Sequence, residues 1–471
     1  LLFSSPAFLF CFLPIFLVTY FLTKEKYRNA LIFLFSIGFY FIDGGFFTSI
    51  LLASVFINFW LAIGISRMHG LRKTLIVAFA VTLNLVPLFF YKYWMFFLQS
   101  FNDAASVIGA DIHVVIPEIV LLSGVSFFTF HAISYIIDVS NEKVRPEPSC
   151  INFGMYMTNF PQLIAGPIVR YSEIASQVNN RLPNKRDIFL GIFIFIIGLS
   201  KKVIFADSAG NIADRIFDES SSSLSTAMAW VGAIAYSLQI YFDFSGYSDM
   251  AIGLGKIMGF NFPENFNQPY RSKSITEFWR RWHMTLSRWF RDYVYIPLGG
   301  NKNGQSRTLT NLLIVFFLCG LWHGASYTFI AWGFYHGLLL IIERILKANF
   351  NFSPSGALGQ IITLILVIIG WVIFRATSLP LALHFIGVMF GMDSASNSLA
   401  PIINLFTFDV AVYFLAALAA SLIPMELFEK FSYKNQHSEV IVKILIALPL
   451  FVFCLLLIAD NGFNPFIYFR F

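Results

Sequence analysis

The chain has 471 residues, of which 57% are hydrophobic, 18% aromatic and only 12% charged, with a net charge of +6. Soluble domains carry about 25% charged residues, so an ordinary water-soluble domain is excluded and the chain falls in the membrane class. The basic residues lie mainly in loops between apolar runs, where the cytoplasmic bias of Lys and Arg accounts for them; nucleic acid is not an implied partner.

A crossing helix needs about 20 mostly apolar residues. Spans are expected at about 6–22, 29–43, 46–65, 74–95, 118–138, 187–206, 226–250, 308–322, 326–346, 357–375, 409–424 and 441–459. That is an all-α, polytopic chain of about 11–13 membrane segments in a single transmembrane domain. The first span lacks a basic leader and a small-residue cleavage site, so it reads as retained. Basic loops follow spans one, three and five, at Lys24, Arg67 and Lys143, and the opposite loops are poor in Lys and Arg. The alternation places the N-terminus outside and the segment 251–307 inside. Lys201 and Lys202, near the far end of span six, are the clearest exception.

Between spans five and six, the run NFPQLIAGPIVRYSEI is apolar but broken by Pro161, Gly166 and Pro167. It reads as re-entrant or interfacial, since non-helical backbone is tolerated at membrane depth where protein or a water-filled cavity surrounds it. Next comes YFDFSGYSDMAIGLGKIMGFNFPENFNQPY, with Asp243 and Asp249 inside or at the end of a span. An ionisable residue there costs roughly 2.5–3.5 kcal/mol by insertion scales and needs a partner. Ser245, Tyr247 and the following Arg-rich segment are the candidates.

The densest polar signal is EFWRRWHMTLSRWFRDYVYIPLGGNKNG. On one helix advancing about 100° per residue, Arg280, Arg281, Arg288 and Arg291 share a face. Trp279, Trp282, Trp289 and Phe290 gather opposite, with His283 on the border. An amphipathic helix of this kind lies along the membrane interface. Its arginines either anchor to lipid headgroups or also receive an anionic donor, because guanidinium pairs bidentately with phosphate.

The last signal is GLWHGAS, at the end of a span. Gly320 and Gly324 are a small-xxx-small pair that brings helices close, and this places His323, beside Trp322, in crowded surroundings. His131 and His336 lie within spans and read as structural; His69, His113, His384 and His437 sit in or near loops. Cys11, Cys150, Cys319 and Cys454 have no metal or disulfide spacing and read as packing residues. There is no metal motif and no serine-hydrolase elbow.

These stretches, with FSSPAFLFCFLPIF at the start, resemble the membrane-bound O-acyltransferase family, in its alginate O-acetyltransferase-like branch. The resemblance implies a ring of helices around a central tunnel, with re-entrant and interfacial helices. It implies His323 as the essential histidine and His283 as a second polar residue. It implies a bacterial inner membrane protein with no bound cofactor, taking acetyl from acetyl-coenzyme A or an acyl-carrier-protein thioester. It implies an exopolysaccharide acceptor, reached directly or through an extracytoplasmic SGNH-type partner. Trp279, Trp282, Trp322, Asp243 and the four arginines are then candidates for the donor site and tunnel wall. In this scheme a neutral His323 takes the proton of an acceptor hydroxyl. Peptidoglycan, cellulose or teichoic-acid acylation on the same fold, or transport without acyl chemistry, are the alternatives.

Overall fold

The structure is a computed structural model. It describes residues 2–110, 112–218, 224–352, 354–392, 406–424, 436–461 and 466–467, the side chains of 436, 437 and 461 excepted. His437 therefore lies outside the described side chains. The only regular elements among the described residues are helices, with no strand, and six of them are long and apolar enough to cross a membrane. Four shorter apolar helices accompany them. The expected spans at 226–250 and 308–322 form helices but are not among the six. They carry polar side chains that the interior of the fold uses.

The chain divides into two compact units. The first, residues 1–191 and 254–263, contains α1 (Leu13–Leu22), α2 (Arg28–Gly44), α3 (Thr48–Ser66), α4 (Gly70–Leu88) and α5 (Trp94–Val107). These are followed by α6 (Val125–Ser140), α7 (Cys150–Thr158), α8 (Phe160–Leu163) and α9 (Tyr171–Asn179). Helix α6 is buried nearly all round, its polar Thr129, His131, Ser134 and Asp138 included. It begins at Val125, not near 118, because Gly124 turns into the left-handed region at φ 73°. A Cβ at that position would also press on the Leu163 carbonyl oxygen. The broken apolar run between spans five and six resolves into α7, α8 and α9, all short. Glu147 fastens them: its carboxylate accepts from the Tyr171 hydroxyl at 2.6 Å and from Asn152 at 3.1 Å.

The second unit, residues 192–253 and 264–471, holds most of α10 (Lys185–Ser200), then α11 (Asp207–Phe217) and most of α12 (Thr226–Ile257). After these come α13 (Ile275–Arg281), α14 (Met284–Phe290), α15 (Gly304–His323), α16 (Tyr327–Phe350), α17 (Gly356–Arg375) and α18 (Leu379–Met389). Two more helices, α19 (Phe408–Leu422) and α20 (Gln436–Asn461), complete it. His384, expected near a loop, sits on α18. Helices α15 and α16 form a tight hairpin. A Cβ on Gly320 would collide with the Phe329 carbonyl oxygen, and one on Gly333 with that of Phe316. Backbone therefore meets backbone, as small residues permit. Gly324 plays another part than the expected one: it ends α15 in extended conformation, and the Phe329 ring fills the space its side chain would take.

Lys201 and Lys202 break the loop-charge pattern because they serve Asp249 and Asp243. Lys201 pairs with Asp249 at 2.6 Å, and Lys202 reaches Asp207 at 2.7 Å and Asp243 at 3.0 Å. The two intramembrane carboxylates thus find lysines of the preceding span, not the Arg-rich segment. Asp243 also accepts the backbone N–H of Ile467 at 2.6 Å.

Candidate functional site

The segment 277–293 is not one helix. It breaks at Trp282 and His283, where His283 adopts φ 41°, ψ 54°. Asn265 explains the break. Its backbone carbonyl accepts from Met284 N–H at 2.9 Å, and its side-chain oxygen from Thr285 N–H at 3.2 Å. The first free amides of α14 thereby find partners outside the helix. The same Oδ1 accepts from the Thr285 hydroxyl at 2.9 Å and lies 3.1 Å from His283 Nδ1. Asn265 Nδ2 donates to Ser248 at 3.0 Å.

That arrangement sets the imidazole tautomer. An oxygen that accepts from Thr285 N–H can only accept from His283 as well, so Nδ1 carries the proton. Nε2 is then the basic nitrogen, and it is buried with no hydrogen-bond partner among the described residues. His283 lies between short helices, outside the spanning ones, and burial pushes its pKa down to about 3. It is therefore a neutral acceptor with a fixed orientation.

His323 is the last residue of α15 and is 5% exposed. Its ring is held edge-to-face by Trp322 at 5.0 Å, Trp332 at 5.0 Å and Phe374 at 5.2 Å. Trp322 also meets His283, centroid to centroid at 5.8 Å. The two histidines thus flank one indole. Trp279 packs on Phe316, Trp332 and His336, and Trp282 on Trp371 at 4.7 Å. Phe244, next to Asp243, lies 4.6 Å from the His283 ring.

The arginines do not form one basic face, because the break turns α13 away from α14. Arg281 pairs with Glu277 at 2.9 Å, and Arg291 with Asp292 at 2.6 Å. Arg288 is half-buried on α14. Arg280 is exposed and lines a cavity of about 540 Å³ beside α15 and α16. Sequence reasoning did not single out Asn265, Trp332, Trp371 or Phe374. Asn265 lies inside a quoted motif, but nothing in its spacing points to a histidine 18 residues on.

A multi-pass helical protein with two buried imidazoles gathered around one indole is the class this geometry defines. The chain belongs to the membrane-bound O-acyltransferase family, whose model matches residues 127–385, more than half of its length. It is 42% identical over 422 residues to the "Probable alginate O-acetylase AlgI" of Pseudomonas aeruginosa, covering 89% of this chain and 80% of the relative. The peptidoglycan O-acetyltransferase of Helicobacter pylori is 38% identical, with 84% and 81% covered. The teichoic acid D-alanyltransferase of Bacillus subtilis is 28% identical, with 63% and 76% covered.

Proposed function

We propose that this protein is an O-acetyltransferase that passes acetyl from a cytoplasmic thioester to a hydroxyl on the far side of a bacterial inner membrane, the acceptor serving O-acetylation of an alginate-like polysaccharide. The observation that carries the reading is the pair of histidines flanking Trp322, one with its basic nitrogen unengaged. Acyl transfer to oxygen needs a neutral base near the attacking hydroxyl, and such assistance is worth about 10²–10⁴-fold. His323 takes the hydroxyl proton as the oxygen forms its bond to the acetyl carbon. The C–S bond breaks and the proton passes to the departing thiolate. His283, fixed by Asn265, orients the acceptor through Nε2 or relays that proton.

The anionic thioester donor, coenzyme A or a carrier protein, meets Arg280, Arg281, Arg288 and Arg291, the arginines that flank His283 in the chain. Trp279, Trp282 and Trp322 wall the passage. Asp243 stays with Lys202 and steadies α12 behind the site. The acceptor hydroxyl belongs to the polymer or to an SGNH-type partner outside the membrane. The relatives that act on alginate support the polysaccharide reading, and the peptidoglycan relative makes cell-wall glycan the second candidate.

The test is His323→Ala in a strain whose own gene is deleted. Polymer O-acetyl content should fall to background while the protein remains folded and membrane-inserted. Full acetylation by that variant would remove His323 from the mechanism. Which polymer loses its esters in the deletion strain decides between alginate-like and wall acceptors.

A further inference from the structure

The cavity beside α15 and α16 has a cationic end, at Arg344 and Lys347, that the proposed transfer does not use. It runs along α15 from Leu312 to Cys319 and along α16 from Leu340 to Lys347, about 10 Å at 1.5 Å per residue. Because the two helices are an antiparallel hairpin, Lys347 and Cys319 mark opposite ends. At one end stand Arg344 and Lys347, both exposed. Among the described residues neither has an ion pair or hydrogen bond. The two carboxylates nearby are engaged. Glu343 accepts from the N–H groups of Ile275 and Thr276 at 2.8 and 3.3 Å, and Glu277 holds Arg281 at 2.9 Å. The walls away from that end are mainly Leu312, Val315, Phe316, Cys319 and Leu340. A volume of about 540 Å³ is that of a small-molecule site.

We infer that this cavity holds one anionic phospholipid, its phosphate on Arg344 and Lys347 and an acyl chain lying along the α15–α16 hairpin, on its α13 and α14 side. Two unpaired cations at one end call for an anion, and guanidinium matches phosphate in geometry. The apolar walls call for a chain without polar groups, since an unpaired buried amide is penalised. The outer face of α16 is apolar and exposed at Leu338 and Ile342, both 51% exposed, just before the cations begin. That is the order of groups met on going from acyl chains to headgroups, where Lys and Arg reach the interface. The far end of the cavity is closed by Cys319, one turn before His323 on the same helix. The lipid would therefore brace α15 directly beneath the site.

The inference does not depend on the acyl-transfer reading, and the experiment keeps them apart. Full-length protein is reconstituted in nanodiscs of phosphatidylcholine with a minor share of phosphatidylglycerol, then released in mild detergent for native mass spectrometry. The wild type should retain phosphatidylglycerol in preference to phosphatidylcholine. Arg344→Ala with Lys347→Ala should weaken that retention roughly 30-fold, the weight of two interfacial cations. Exchanging the charges, Arg344→Lys with Lys347→Arg, should restore most of it. No preference in the wild type, or equal retention by the double alanine variant, overturns the inference. So does displacement of the lipid by added coenzyme A, which would assign the cationic end to the donor phosphate. The His323→Ala protein should bind the lipid as the wild type does, so loss of transfer and loss of this site are separate outcomes.

Discussion

The Trp322 ring contacts two histidines, 5.8 Å from the His283 centroid and 5.0 Å from that of His323. Both imidazoles are referenced to one rigid indole, although they come from different elements 40 residues apart in the chain. Trp322 is 3% exposed, and truncating such a residue to Ala costs about 3–5 kcal/mol. Trp322→Ala should lower the thermal unfolding midpoint and abolish acetyl transfer together. Trp322→Phe, which keeps a ring, should recover most of the stability. A Trp322→Ala protein with normal transfer would show that the indole does not organise the site.

Asn265 is the positioning residue for His283. Asn265→Leu removes the acceptor for Nδ1–H and frees the ring, and a misplacement near 1 Å at a reacting centre costs up to about 10²-fold in rate. The expected result is a fall in kcat with little change in KM for the thioester. Asn265→Asp keeps the acceptor and should restore part of the rate.

The acid dependence follows from His283. Its pKa is about 3 in the folded protein and about 6.5 in an unfolded chain. The stability held at neutral pH is therefore lost as pH falls from about 6.5 towards about 3, because only the unfolded chain takes up the proton there. Between about pH 5 and 8 the folded imidazole stays neutral, so His283 contributes no inflection to the rate. Comparing pH–rate profiles of wild type and His283→Gln checks this. An inflection in that window that disappears in the variant would contradict it.

Lys202 neutralises the buried carboxylate of Asp243 and the half-buried one of Asp207. Lys202→Met leaves both without their cation and should destabilise by about 3–5 kcal/mol. Adding Asp243→Asn to Lys202→Met should recover a measurable part of that loss in thermal unfolding. If the double variant is no better than the single one, the pairing is not what holds these helices.

Much of the architecture was legible from composition and span length. Helices formed at every expected span, because a run of about 20 apolar residues has few other structures in lipid. Their lengths were less legible: the span expected at 74–95 continues through a π turn into Trp94–Val107. The partners of Asp243 and Asp249 were not legible. Lys201 and Lys202 stood out as misplaced loop charges, and only the packing of the π turn after α10, residues Lys201–Ala206, on α12 joins the two anomalies into one explanation. The straight amphipathic helix at 277–293 was the main misreading. Helical periodicity was present in the residues, but a side chain 18 positions earlier, Asn265, captures the amides that would have continued it. Local pattern cannot reveal a cap supplied from outside the segment. Trp332 and Phe374, which hold the His323 ring, belong to later helices and carry no mark of their own in an aromatic-rich chain.

The hairpin of α15 and α16 has one more consequence. Where peptide planes touch, as at Gly320 and Gly333, there is no intervening layer of side chains to thicken or thin. The height of His323 is therefore set by main-chain geometry and cannot drift through gradual changes of residue size. Under the proposed mechanism, the choice of acceptor then rests on what surrounds this imidazole, not on where it stands.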